Sequence, residues 1–291
     1  MNRCITYCIA NHYFGVEGES EVDLLQSLPG FPLFLCDTCQ QSEWLVRFGS
    51  SIVFPTDYEI LYVSYDDEEA FHFSFVKADD AFYFSMNDDT NQESPLLMRF
   101  QQGSIVEATH CFDATILRFA LWIAFGMLSA SSSMVLIHSS VIVHQNKAVL
   151  FLGESGTGKS THTRLWLNHI PDSHLLNDDS PILSIENGIP VVYGSPWSGK
   201  THCYHPLHFP LAAAVRLSQA PYNKISRQSV LGAFVALQPS CPPSLAQDDY
   251  FSNYIISLLN DVINSVPVYR LECLPDAAAA HLSHDTIFDS L

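Results

Sequence analysis

Basic residues are scarce in this chain: 13 Lys and Arg stand against 31 Asp and Glu in 291 residues, a formal net charge of −18. Proteins that grip a nucleic-acid backbone do so with many cations, so this balance excludes a polyanion as the expected partner, nucleic acid included. The deficit is uneven. Residues 1–110 hold 4 basic side chains against 18 acidic ones, a net of −14, whereas residues 111–291 hold 9 against 13, a net of −4. The near-neutral part is the one better able to accept an anionic ligand.

Charge of either sign is sparse, at 15% of residues against 47% apolar, which excludes disorder as the overall state and leaves material for a sizeable core. Long apolar runs are missing too. The most apolar stretch, residues 119–130, is short of the ~20 residues that span a bilayer, so it reads as a buried core helix and no membrane partner is expected. Residues 1–10 lack the apolar region and cleavage site of a signal peptide, which predicts a cytoplasmic address. The eight cysteines are then expected as reduced thiols, because Cys36 and Cys39 with Cys4 and Cys8 have irregular spacing for a structural zinc.

What is present falls into two patterns. Between residues 44 and 100, aromatic and β-branched residues alternate with polar ones at 44–48, 52–54, 59–65, 70–76, 81–86 and 96–100. Short acidic breaks such as Asp66-Asp67-Glu68-Glu69 and Asp79-Asp80 separate these runs, which predicts an antiparallel sheet with solvated turns. From Asp113 the period becomes helical through Ile116, Leu117, Leu121, Ile123, Met127 and Leu128, at the joint between two halves. We therefore expect an acidic, mainly antiparallel β (α+β) accessory domain over residues 1–110 and an α/β domain over residues 111–291. The second half has apolar runs at 134–137, 141–143, 148–152, 173–176, 182–185, 189–193 and 211–217, with Asn187-Gly188 as a hairpin turn. Helices over 230–237 and 249–263, a strand over 267–271 and an Ala-rich helix after Pro275 complete it.

The sharpest motif is Gly153-Glu154-Ser155-Gly156-Thr157-Gly158-Lys159-Ser160-Thr161, which fits the phosphate-loop pattern G-x-x-x-x-G-K-[ST]. An apolar strand runs into it and a helical pattern leaves it, so backbone N–H groups and the helix dipole would converge on a polyphosphate. Lys159 would neutralise phosphate charge and Ser160 would reach Mg²⁺. Downstream, Asn177-Asp178-Asp179 ends an apolar run. Phosphoryl transfer uses a carboxylate on the metal and another to accept the proton of the attacking hydroxyl. Neighbouring strand residues face opposite ways, so the pair can divide these roles only where the backbone turns. An exposed turn before Pro181 is the plainer alternative.

With Leu136-Ile137-His138-Ser139-Ser140 ahead of the loop and Asn177-Asp178-Asp179 behind it, residues 134 to about 220 resemble the catalytic domain of HPr kinase/phosphorylase. The same order is similar to the nucleotide-binding core of phosphoenolpyruvate carboxykinase. The resemblance implies a mixed α/β kinase fold using ATP and Mg²⁺. It also implies Asp178 as the base, Asp179 with Ser160 at the metal, and His138 lining the phosphate site. The γ-phosphoryl group would go to a serine-type hydroxyl of a protein, peptide or small molecule. A non-catalytic ATP sensor and a small-molecule carboxykinase-like enzyme are the alternatives, and a homo-oligomer is compatible with the family.

The sequence departs from the family after the aspartates. Where those kinases carry Glu-x-Arg-Gly-x-Gly, this chain reads Tyr193-Gly194-Ser195-Pro196-Trp197-Ser198-Gly199-Lys200, which weighs against HPr itself as acceptor and against phosphorolysis. That segment reads either as a loop over the phosphates, with Lys200 adding charge, or as a surface turn whose tryptophan packs on the sheet. Arg216 reads either as a cation for the transition state or as an ordinary salt-bridge partner. His202, His205 and His208 have helical spacing for a metal, but Pro206 and Pro210 forbid the helix, so they are expected as loop residues.

Overall fold

Alternation becomes sheet, and the helical period becomes the helix that covers it. The computed structural model describes residues 3–36, 42–66, 71–88, 95–199 and 201–289. Internal contacts divide the chain into two compact units, Met1–Ala130 with Pro243–Ser252, and Ser131–Pro242 with Asn253–Leu291.

The first unit begins with strands β1 (Arg3–Ile9) and β2 (His12–Gly18), a hairpin turned at Ala10 and Asn11 with φ of 50° and 64°. These φ values suit the mirror-image turns that match strand twist. Helix α1 (Ser20–Ser27) follows, then β3 (Trp44–Arg47), β4 (Glu59–Asp66), β5 (Phe71–Ala78), β6 (Ala81–Asp88), β7 (Leu96–Phe100) and β8 (Ile105–Ala108). The eight strands form one sheet in the order β1-β2-β3-β8-β7-β6-β5-β4, parallel only at β2/β3 and β3/β8.

The expected strand over residues 52–54 is irregular in the structure, and Pro55 directly after it lacks a ladder donor. Residues 3–18, over which the sequence analysis places no strand, form two strands with Tyr7, Ile9, Phe14 and Val16 buried. Helix α2 (Ala114–Ser129) is capped by Asp113, whose carboxylate accepts from Thr115 N and Ile116 N. Its Phe125 meets Phe14 and Trp44 edge-on, at ring separations of 5.7 and 5.6 Å. Ala114–Ser132 is long and apolar enough, by length and composition, to cross a membrane, beyond what the shorter apolar run suggested; 61% of its apolar window is buried. Residues 243–252 return to this unit, where Phe251 packs 4.8 Å from Phe82 and Asp248 pairs with Lys77 at 2.8 Å.

The second unit is a mixed sheet with helices. Its elements are β9 (Met134–Leu136), β10 (Ser139–His144), β11 (Lys147–Leu152), α3 (Lys159–His169), β12 (His174–Asp179), β13 (Ile182–Glu186), β14 (Ile189–Tyr193), β15 (His208–Gln219), β16 (Lys224–Arg227), α4 (Val230–Leu237), α5 (Asp249–Ser265, from Asn253 onward), β17 (Val268–Cys273) and α6 (Ala277–Phe288). The strand order is β12-β10-β11-β15-β14-β13-β9, with β17 on β15 and β16 on β17. Asn187 and Gly188 turn the β13/β14 hairpin, at φ of 50° and 80°. The core gathers Val149, Phe151, Trp166, Ala213, Val215, Leu271 and Ala280.

One topological fact positions the candidate site residues. Strand β10 is antiparallel to both β11 and β12, so the residue before it, His138, lies at the sheet end where β11 enters its glycine loop and β12 reaches its aspartates.

Candidate functional site

The loop between β11 and α3 needs glycine where it turns: φ is 78° at Gly156 and 101° at Gly158, a region that side chains disfavour. Thr157 braces the turn by donating its hydroxyl to Glu154 O at 2.8 Å. No side chain caps α3 at Gly158, and the first-turn N–H groups of a helix lack partners within it. An open helix start with Lys159 and Ser160 as its first residues is suited to an anion.

Lys159 Nζ donates to Gly153 O at 2.8 Å, to Glu154 O at 3.2 Å and to His138 Nε2 at 2.9 Å. With Nε2 accepting, the His138 proton is on Nδ1, which donates to Asp179 Oδ1 at 3.3 Å. Burial lowers the Lys159 pKa from its ordinary value, against the opposing pull of Asp179, Asp178 and Glu154. Ser160 donates its hydroxyl to Asp178 Oδ1 at 3.1 Å.

Both carboxylates therefore serve one site, although they are neighbours on a strand. Asp179 has φ of 150°, so the backbone leaves extended geometry there and the alternation of faces is broken. Such a conformation costs on the order of 1–3 kcal/mol and needs surrounding structure to hold it. That structure is the segment after β14. Gly199 N donates to Asp178 O at 2.7 Å, Ser198 donates its hydroxyl to Asp178 O at 3.1 Å, and Asp179 bridges to Ser198.

The organiser of that segment is Asn177, a residue to which sequence reasoning gave no role of its own. It is fully buried, and its amide donates to Trp197 O at 3.0 Å while its Oδ1 accepts from Ser180 N at 3.1 Å. A polar residue at a buried strand position just before two carboxylates was the available signal. Trp197 is buried, as the packing alternative had it, and the segment nonetheless runs along the aspartate pair. Lys200 lies outside the described residues.

Arg216 stands in register with Leu152 on the parallel β11/β15 pair. Its guanidinium donates to Glu154 Oε1 at 2.6 Å and to Ala236 O at 3.0 Å, so it is a salt-bridge partner to the loop. The histidine string does not converge. His202 meets the Tyr204 hydroxyl at 3.3 Å and His208 stacks on Tyr193 at 4.8 Å. Among the described residues no group of three or more His, Cys, Asp or Glu could hold a metal ion, and Cys39 lies outside them.

No family model and no curated protein matches the chain. Among solved structures, the chain is similar to the Hpr(Ser) kinase/phosphatase from Coxiella burnetii, with a TM-score of 0.31 and 14% identity over 53% of this chain and 88% of that one.

Proposed function

We propose that this chain is an ATP- and Mg²⁺-dependent phosphotransferase that moves the γ-phosphoryl group to a serine-type hydroxyl of a protein, peptide or small molecule. The observation that carries the reading is the convergence of Lys159, Ser160, His138, Asp178 and Asp179 at one end of the second sheet.

The donor set fits the metal. Ser160 Oγ and the carboxylates of Asp178 and Asp179 are hard oxygen ligands of the kind Mg²⁺ takes alongside phosphate oxygens and water. When bound, Mg²⁺ offsets the charge on the phosphate oxygens. Ser160 and Asp179 would hold it, and His138 Nδ1–H orients the Asp179 carboxylate from behind.

The chain's own residues account for the rest. Lys159, which donates to two carbonyls and the His138 imidazole, would offer its charge to phosphate oxygens. Loop N–H groups orient the chain of phosphates. Asp178 already accepts an O–H hydrogen bond. With Ser160 and Asp179 holding the metal, the Asp178 carboxylate would be the group to take the proton of an acceptor hydroxyl.

The test is titration of Mg·ATP into the wild type and Lys159→Ala, followed by γ-labelled ATP with free serine and seryl peptides. Loss of binding in the variant, with label on one acceptor, is the expected result. Equal binding by the two proteins would overturn the reading. Binding without transfer to any acceptor would instead favour an ATP sensor.

A further inference from the structure

A cavity of about 570 Å³ adjoins the glycine loop within the second unit. Its walls include Gly156 and Gly158 of the loop, Leu165 of α3, Leu217 and Gln219 of β15, and Cys273 at the end of β17. Neither Lys159, Ser160, Asp178 nor Asp179 is among the residues lining it. The loop thus has two faces, one toward the carboxylates and one toward this cavity.

The lining carries no Asp, Glu, Lys or Arg, and its one imidazole, His162, is kept neutral by burial. Such a chamber disfavours a charged occupant and favours an apolar one. Among its uncharged polar residues, which include Thr157 and Thr161, Gln219 is held in one orientation. Gln219 Nε2 donates to Gly156 O at 3.1 Å, which fixes the amide and leaves Oε1 as an acceptor. The cavity therefore suits a flat, uncharged heterocycle bearing N–H groups, joined to something anionic that continues along the loop. An acceptor substrate placed here would be on the wrong side of the loop for the carboxylate pair.

We propose that this cavity takes the nucleobase of a nucleoside triphosphate, with Leu165 and Leu217 against its faces and Gln219 Oε1 accepting from its edge. The proposal rests on the phosphate-binding reading of the loop and adds to it the source of nucleoside affinity. Cys273 in the wall makes occupancy readable by chemistry.

The experiment compares Mg·ATP with Mg²⁺ and inorganic tripolyphosphate on the wild type and on Ala220→Trp, a substitution that fills the cavity from its lining. The wild type is expected to bind ATP at least tenfold more tightly than tripolyphosphate, and the variant to lose that preference while retaining tripolyphosphate affinity. In parallel, Mg·ATP is expected to slow alkylation of Cys273 in the wild type at least fivefold, followed by peptide mass spectrometry, whereas tripolyphosphate does not. Equal wild-type affinities for the two ligands, or undiminished ATP preference in the variant, would overturn the base pocket and leave the loop reading intact. If the variant fails to fold, the Cys273 measurement decides: unprotected alkylation in saturating ATP overturns the proposal. Failure of the wild type to bind either ligand overturns both readings together.

Discussion

Ser160 Oγ lies 3.1 Å from Asp178 Oδ1, so the first hydroxyl of α3 is tied to the buried carboxylate of β12. Neither strand neighbours the other in the sheet, since β10 separates β12 from β11. The contact joins the glycine loop to the aspartate pair and makes the two motifs one site.

Asp178→Asn keeps an oxygen that can accept from Ser160 and removes the carboxylate proposed as the proton acceptor. Transfer to the hydroxyl is expected to fall by roughly 10²–10⁴-fold, with Mg·ATP affinity changed only a few-fold. Single-turnover transfer beside calorimetric binding checks this. A variant that transfers at the wild-type rate removes Asp178 from the role of base.

Glu21 is a buried carboxylate in the first unit. Burial acts to raise its pKa, but hydrogen bonds from Cys111 N, at 2.9 Å, and from His110 and Ser20 outweigh it and hold the carboxyl below its ordinary value. A lowered folded pKa gives stability that is present above the unfolded value, ~4.3, and is lost as pH falls through the folded one. Glu21→Gln is expected to cost about 1–3 kcal/mol at neutral pH, with the difference from wild type shrinking in acid. Denaturant unfolding at pH 7 and pH 3 measures both effects.

His162 carries the opposite kind of buried group. Its pKa is pushed down to about 4 by burial, and its ring is held by the Ser283 hydroxyl at 3.1 Å. The unfolded chain protonates this imidazole near ~6.5, so stability should decline as pH falls from there toward the folded value, by at most about 3 kcal/mol. His162→Gln should flatten that decline in unfolding free energy between pH 7 and pH 4. Identical slopes in the two proteins would show that His162 does not set it.

Gly194 approaches backbone too closely for any side chain: a Cβ there would lie 2.0 Å from His205 O. At Gly199 the nearest atom, Asp178 O, would be 3.3 Å away. Gly194→Ala is therefore expected to cost about 1–3 kcal/mol, and Gly199→Ala less. Thermal unfolding of the two variants side by side tests the order.

Much of this was legible locally. The strand before Gly153 and the helix after it lie where the apolar run and the helical pattern put them, because glycine demand and periodicity are properties of a few adjacent residues. Asn187-Gly188 turned its hairpin for the same reason. The β1/β2 hairpin was missed although Ile5, Tyr7 and Ile9 alternate with polar residues and Asn11 sits at the turn; cysteines and a threonine diluted the apolar signal. The run at 52–54 alternates too, yet it pairs with no strand in the structure.

The sequence by itself determined the loop's backbone, the charge contrast between the halves, and the presence of two carboxylates at a strand tip. Only the tertiary structure decided what these groups touch. That β10 runs antiparallel between β11 and β12 brings His138 to Lys159 and Asp179, that Asp179 turns at φ of 150° lets both carboxylates serve one site, and that β15 lies beside β11 hands Arg216 to Glu154. These are pairings between residues far apart in the chain. Their energies depend on which strands are neighbours, and no window of adjacent residues carries that information.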